Sequence, residues 1–436
     1  MFQARREKFM QAIGNAVAII PSAPIRNRTA DLDFEYRQDS DFFYLTGFKE
    51  PEAVLLLVPN HPEHRVVLFV RPRDPERETW DGRRSGTEGV VRDYGADAAY
   101  PISEIDQILP RYLENQDTLY FRFGKEAETD DQVMAWLGVV RAKARQGITA
   151  PTRMVDPSEL LHEARLRKGP EEIERMRKAA SIAAEAHTRA MEISRPGMYE
   201  YELQAEIEYT FRKRGAMGPS YGSIVGAGDN ACILHYVEND AEMQDGDLVL
   251  IDAGAEYQFY ASDITRTFPV NGRFSPAQRE LYEVVLQAEL EAIAHVKPGN
   301  SFQSVHDRAV KVLTEGLVRL GILHGEVDAL IESGAFRRFF MHKTSHWLGI
   351  DVHDVGAYKV KGEWRELEPG MVLTVEPGLY IAEGSEGVDP KYWGIGIRIE
   401  DDVLVTPSGH EVLTHEVPKA VEEIERLMAK SQPATV

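Results

Sequence analysis

Cysteine is almost absent, Cys232 being the only one in 436 residues. A single thiol forms no intrachain disulfide and builds neither a thiolate zinc finger nor an iron–sulfur cluster, and it fits a reducing compartment. Basic residues are scarce as well. The 50 Lys and Arg against 71 Asp and Glu leave a formal net charge of -21 with no long basic run, which excludes the clustered cationic surface that grips nucleic acid. Long apolar runs are missing too. Met1-Phe-Gln-Ala-Arg-Arg-Glu-Lys-Phe-Met10 lacks the uninterrupted apolar core of a secretion signal, and no stretch approaches the length of a membrane span. The expectation is a cytoplasmic protein with no membrane partner.

What is present is an ordinary globular composition, 43% hydrophobic and 28% charged, in a chain long enough for two domains or three. Residues 1 to about 165 alternate between helical and strand periods. Arg5 to Ile13 reads as a helix, Val17 to Ile20, Ala53 to Val58 and Val66 to Val70 as buried strands, and Ile102 to Leu113, Leu119 to Phe123 and Asp130 to Ala144 as helix, strand, helix. That pattern predicts a small α/β domain over 1–165. The segment Asp33 to Phe48, dense in aromatic and polar side chains, reads by itself as a packed loop with satisfied hydrogen bonds.

Gly147-Ile-Thr-Ala-Pro-Thr152 starts the linker, and Gly169-Pro170 opens a helix with proline at its favoured first position. A second domain is expected over 166–436. Ile173 to Ile193 and Leu203 to Phe211 have helical spacing, and strands follow at Ser223 to Val225 and in a hairpin from Asp247 to Phe268. Then the pattern restarts: a capping box at Ser275-Pro-Ala-Gln278 leads a helix, Ser301 opens another, and strands come at Met371 to Glu376 and Gly396 to Val405 before a terminal helix from Pro418 to Met428. Helix, helix, strands, twice over, predicts a pseudo-symmetric α/β (α+β) domain with one curved antiparallel sheet covered by helices.

The hairpin carries the first chemical signal. Pairing about Tyr257 sets Asp252 directly opposite Asp263, among apolar neighbours Val249, Leu250, Ile251 and Ile264. Two buried like charges need a shared proton or a cation; the bland alternative is a turn whose aspartates cap backbone N–H groups. The second half supplies Glu376 in Thr374-Val-Glu-Pro-Gly and Glu400 in Gly394-Ile-Gly-Ile-Arg-Ile-Glu-Asp-Asp, with Arg398 on the face of Glu400 by the two-residue repeat. Between them, Met341 to Asp354 packs His342, His346 and His353 into one short span. Four carboxylates and an imidazole form an oxygen-rich set suited to a pair of Mn, Co, Fe or Zn ions, and hydrolysis is the default chemistry of such a pair.

These residues, in their contexts Asp-Ala-Gly, Ser-Asp-Ile-Thr-Arg-Thr, Ser-His-Trp-Leu-Gly, Val-Glu-Pro-Gly and Arg-Ile-Glu-Asp, resemble the pita-bread metallopeptidases, the family of methionine aminopeptidase, prolidase and aminopeptidase P. Tyr36-Arg-Gln-Asp-Ser-Asp-Phe-Phe-Tyr-Leu-Thr-Gly-Phe48 and Glu78-Thr-Trp80-Asp-Gly-Arg-Arg84 resemble the amino-terminal domain of the aminopeptidase P subgroup. The resemblance implies that Asp252 holds one metal, that Asp263 and Glu400 bridge both, and that His346 and Glu376 hold the other, with manganese ahead of cobalt, iron or zinc. Glu376 is implied as proton shuttle for the attacking water, His235 as a substrate-positioning group, and His342 and His353 as the pair that lines the pocket and stabilises the tetrahedral intermediate. Arg398 is implied to fix a metal carboxylate by a charge-assisted hydrogen bond. The implied reaction removes the first residue from peptides with proline second, by a homodimer or homotetramer. A prolidase restricted to Xaa-Pro dipeptides and a non-catalytic peptide binder on the same scaffold are the rival readings.

Overall fold

The computed structural model describes residues 1–431. The chain divides into two compact units, Met1–Ala164 and Arg165–Val436.

The first unit is a six-stranded mixed sheet with helices. In spatial order its strands are Ala98–Pro101, Val66–Val70, Val54–Leu57, Val17–Pro21, Thr118–Tyr120 and Arg153–Val155. The three central apolar strands at Val17, Val54 and Val66 are those the sequence predicts. The flanking strands Ala98–Pro101 and Arg153–Val155 are not anticipated: they are short and only half-buried or exposed, so they carry little apolar signal. The aromatic segment is partly helical rather than a loop. Asp39 caps the helix Ser40–Thr46 by accepting from Phe42 N at 2.9 Å, and Gly47, at φ 70, ends it. Gln38 satisfies three backbone groups around it, at Ala23, Asp39 and Glu50. The leading helix, Phe2–Ile13, buries Arg6, whose guanidinium donates to Leu45 O at 2.9 Å.

The second unit follows the doubled pattern. Pro170–Ile193 and Glu200–Lys213 precede one set of strands, and Pro276–His295 and Phe302–Arg319 precede the other. Pro170 takes the first helical position, and Glu172 Oε2 accepts from Gly169 N at 2.9 Å. Ser275 Oγ accepts from Gln278 N while Gln278 Oε1 accepts from Ser275 N at 2.8 Å, the reciprocal box that nucleates the third helix. The second helix pair packs tightly at Gly316, where a Cβ would fall 2.2 Å from Val284 Cγ1. Both pairs bury their apolar stripes against the strands in one core that includes Met191, Leu203, Val249, Phe268, Leu281 and Ile397, each such side chain contributing about 1.5–3 kcal/mol of burial free energy.

The strands form separate antiparallel ladders. Ile224–Ala227, Leu248–Asp252 and Thr265–Pro269 make one with Leu248–Asp252 in the middle; Val372–Val375, Asp401–Thr406 and Gly409–Val412 make another; Gly378–Ile381 and Ile395–Arg398 make a third. Two expectations are corrected. The hairpin turns at Gln258-Phe259, both at positive φ, so Asp252 pairs with Thr265 and not with Asp263. The single strand expected over Gly396–Val405 is broken: Ile395–Arg398 and Asp401–Thr406 pair with different partners, and Glu400 sits at the break in an isolated bridge with Thr265. Changing ladders there lets one short segment serve two strands and presents Glu400 where the halves meet.

Candidate metal centre

Asp252 is the last residue of its strand, flanked by Ile224 and Thr265 across the ladder. Asp263 precedes Thr265 by two positions and so shares its face with Thr265; its backbone N donates to Asp402 Oδ2 at 3.1 Å. The aspartates thus lie diagonally, and the Tyr221 hydroxyl spans them at 2.6 Å from Asp252 Oδ1 and 2.5 Å from Asp263 Oδ1. Glu400 accepts from Thr265 Oγ1 at 2.6 Å. Glu376 follows the strand Val372–Val375, its backbone N bonded to Thr344 O at 2.8 Å. His346 is tied to that strand through Thr374: Thr374 N donates to His346 O at 3.0 Å, and His346 N donates to Thr374 Oγ1 at 3.1 Å.

Ligating atoms of Asp263, His346 and Glu400 lie within 4.8 Å of one another. Asp252 joins them through Tyr221, and Glu376 Oε1 stands 3.6 Å from His346 Nε2. All five line one cavity of about 690 Å³, together with His235, His342, His353 and Arg398. The sequence-predicted site residues are therefore all brought to a single cavity, although of the five expected ligands Asp252 and Glu376 stand outside the tight cluster.

The electrostatics call for positive charge. His346 Nδ1 faces the Trp347 carbonyl at 3.0 Å and must donate to it, which points Nε2 at the carboxylates, 3.4 Å from Asp263 Oδ2. Burial opposes a charged ring there, but Asp263 and Glu376 outweigh it and raise the imidazole pKa to about 9. Burial pushes the Glu376 carboxyl up to about 7, against the pull of His346 and Arg398. Glu400 is driven well above the carboxylate range by burial and by Asp263, Glu376 and Asp252. Buried acids gathered around this imidazole meet these demands with a divalent cation in place of the Nε2 proton, and the oxygen-rich donor set with one nitrogen fits such an ion.

Arg398 takes a different partner from the one its strand position suggests. Because the strand breaks after it, its Nη2 donates to Asp252 Oδ2 at 2.6 Å, while Nη1 donates to the Tyr380 hydroxyl at 3.1 Å and Nε to Thr265 Oγ1 at 3.1 Å. Tyr380 OH lies 2.8 Å from His342 Nε2, and His342 Nδ1 lies 2.7 Å from Lys343 O. Both His342 nitrogens are thus engaged. Burial and the Arg398 charge lower that ring's pKa to about 3, so it is neutral, with its proton on Nδ1. The His353 ring packs edge-on against His346 at 4.3 Å, and His235 is exposed at the cavity wall.

Tyr221, Thr265 and Tyr380 are functional neighbours that sequence reasoning missed. The two-residue alternation from Asp263 reaches Thr265, and from Glu376 it reaches Tyr380; Tyr221 lies in an irregular segment before Ile224–Ala227 and offers no such signal.

The profile of metallopeptidase family M24 matches residues 174–407, and the chain belongs to that family. The profile of the aminopeptidase P N-terminal domain matches residues 2–120. Among curated relatives, the chain is 52% identical to the Xaa-Pro aminopeptidase of Escherichia coli K12, over 99% of this chain and 98% of that protein. Among solved structures it is similar to the Pseudomonas aeruginosa aminopeptidase PepP, with a TM-score of 0.98, 55% identity and coverage of 99% and 98%. It is also similar to a zinc-substituted E. coli aminopeptidase P in complex with product, with a TM-score of 0.96, 51% identity and the same coverage.

Proposed function

We propose that this chain is a metal-dependent Xaa-Pro aminopeptidase, removing the first residue from peptides whose second residue is proline. The observation that carries the reading is the convergence of Asp263, His346 and Glu400 within 4.8 Å, in the cavity that also holds Asp252 and Glu376. Asp252, Asp263, His346, Glu376 and Glu400 would hold two divalent cations, with manganese as the native metal. Bound there, such cations supply Lewis acidity that acidifies a water and polarises the scissile carbonyl.

The protein's own groups account for the rest. Glu376, at the cavity wall, takes the proton released by the attacking water and returns it to the leaving proline nitrogen. His353 is the histidine assigned to the developing oxyanion, since His342 already spends its Nδ1 proton on Lys343 O. His342 lines the wall and relays its position to Arg398 through Tyr380. His235 orients the substrate from the exposed rim. An Xaa-Pro bond has no N–H, so recognition must come from shape. Phe302, Tyr358 and Trp364 on the same cavity offer an aromatic wall for the proline ring.

The test is chelator-stripped protein assayed on Gly-Pro and Gly-Pro-Pro, with Mn, Co, Fe and Zn restored in turn. Metal-dependent cleavage of the tripeptide, strongest with manganese, is expected. Cleavage of the dipeptide alone would make the chain a prolidase, and metal uptake without hydrolysis would make it a binder. Assembly into dimers or tetramers and a cytoplasmic location complete the proposal. The lone Cys232 suits the latter, and among the described residues no helix is long and apolar enough to cross a membrane.

A further inference from the structure

His353 stands at the cavity wall on a short irregular turn, its ring exposed and making no hydrogen bond to any described residue. Apart from its edge-on contact with the His346 ring at 4.3 Å, its position comes from its backbone. That backbone is closed on itself: Asp354 N donates to Trp347 O at 2.8 Å and Gly349 N to Asp351 O at 3.1 Å. The turn is then fastened from outside by one guanidinium. Arg165 Nη2 donates to Asp351 Oδ2 at 2.7 Å and to Asp354 Oδ1 at 2.5 Å, so it grips carboxylates on both sides of His353. Lys168 Nζ completes the clamp on Asp354 Oδ2 at 3.0 Å. Arg165, Lys168 and Asp354 have side chains only 1–2% exposed. Gly349 leaves room for this: a Cβ there would fall 2.1 Å from Asp354 Oδ2 and 2.8 Å from Lys168 Cε.

We propose that Arg165 is a positioning residue for His353, fixing the height and angle of the imidazole over the reacting carbonyl through Asp351 and Asp354. This rests on the aminopeptidase reading for its catalytic consequence, though the placement of the ring does not. Burying two cations and a carboxylate is costly unless each is paired in good geometry. A hydrophobic plug of the same volume would close the turn without that cost. A charged clamp fixes direction as well as contact, which is what a donor aimed at a developing charge requires, because a displacement of about 1 Å at such a group costs up to about a hundredfold in rate.

The experiment is a double-mutant cycle on the metal-loaded protein with Gly-Pro-Pro, using Arg165→Lys, which keeps the charge on a shorter side chain without the planar guanidinium, and His353→Ala. Arg165→Lys alone is expected to lower kcat about tenfold with KM within about twofold and metal content unchanged. In the His353→Ala background the same substitution should change kcat by less than about twofold. Equal losses in both backgrounds, or a loss that tracks lower metal content, overturn the proposal. Asp351→Asn, at a half-exposed site with less risk to folding, should repeat the pattern more weakly. A readout independent of turnover is the labelled His353 ring by NMR: one sharp environment in the parent and a broadened or split one in Arg165→Lys, with unchanged spectra overturning the inference. Should the parent hydrolyse neither peptide, the aminopeptidase reading fails, while the NMR comparison still decides the role of Arg165.

Discussion

Arg398 Nη2 and Asp252 Oδ2 meet at 2.6 Å across 146 residues of sequence, both inside the cavity wall. The contact joins the first half of the second unit to its last strands and fixes the direction of one proposed ligand. Removing it by Arg398→Met leaves Asp252 held by Tyr221 alone among these contacts. Metal affinity, measured by titration against a competing chelator, is expected to fall by about 10–100-fold, with the remaining activity recovered at high metal.

Glu376→Gln keeps the shape of the side chain and an oxygen for coordination but removes the proton-carrying carboxylate. Turnover of Gly-Pro-Pro should fall by at least about a thousandfold, within the range seen when acid–base catalysis and a positioned group are lost together. Wild-type rates with full metal content would remove Glu376 from that role.

Gly254 lies between Asp252 and Asp263 in the chain where the two arms of the hairpin come closest. A Cβ there would sit 1.7 Å from the Ser262 carbonyl oxygen, backbone that has nowhere to yield. Gly254→Ala should destabilise the fold by about 1–3 kcal/mol or more and, by prising the arms apart, weaken metal binding further than a substitution of equal cost elsewhere. Urea unfolding paired with metal titration separates the two effects.

Burial raises the Asp354 carboxyl, but Lys168 and Arg165 more than reverse this and hold it below the ordinary value. A depressed folded-state pKa gives stability that is complete above the unfolded value, about pH 4, and drains away as pH falls through the lower folded value. Asp354→Asn should therefore be less stable than the parent at pH 7, with the gap narrowing below pH 4. Unfolding free energies measured from pH 3 to 7 check the sign.

Arg266 and Asp401, both with fully buried side chains, pair at 2.7 Å, and Arg266 Nη1 also donates to Glu400 O at 2.6 Å. Arg266→Met leaves Asp401 to Lys419 Nζ at 2.5 Å and Thr414 Oγ1 at 2.6 Å, and loosens the strand break that presents Glu400. A loss of about 1–3 kcal/mol is expected, read from denaturant unfolding of the metal-free protein so that metal linkage does not enter.

The long amphipathic helices and the central apolar strands were legible because their periodicity is strong, as at Pro170–Ile193 and Val66–Val70. The site residues were legible for another reason, the specific short contexts around Asp252, Asp263, His346, Glu376 and Glu400. Register was not. A turn at Gln258-Phe259 uses positive φ at residues that do not advertise it, in place of the Asn-Gly or Asp-Gly pair that would have marked the centre. The break at Glu400 was hidden as well, since Ile397, Ile399 and Val403 continue an apolar pattern while the backbone changes partners. Packing against the other half decides that switch, and local propensity carries no trace of it.

The isolated bridge between Thr265 and Glu400 has a thermodynamic consequence. With so little ladder spanning that seam, cations seated beside it act as rivets between the halves, and any ion that binds only the assembled seam adds RT ln(1 + [M]/Kd) to its cohesion. Heating would then part the halves at a temperature that climbs with the logarithm of free metal.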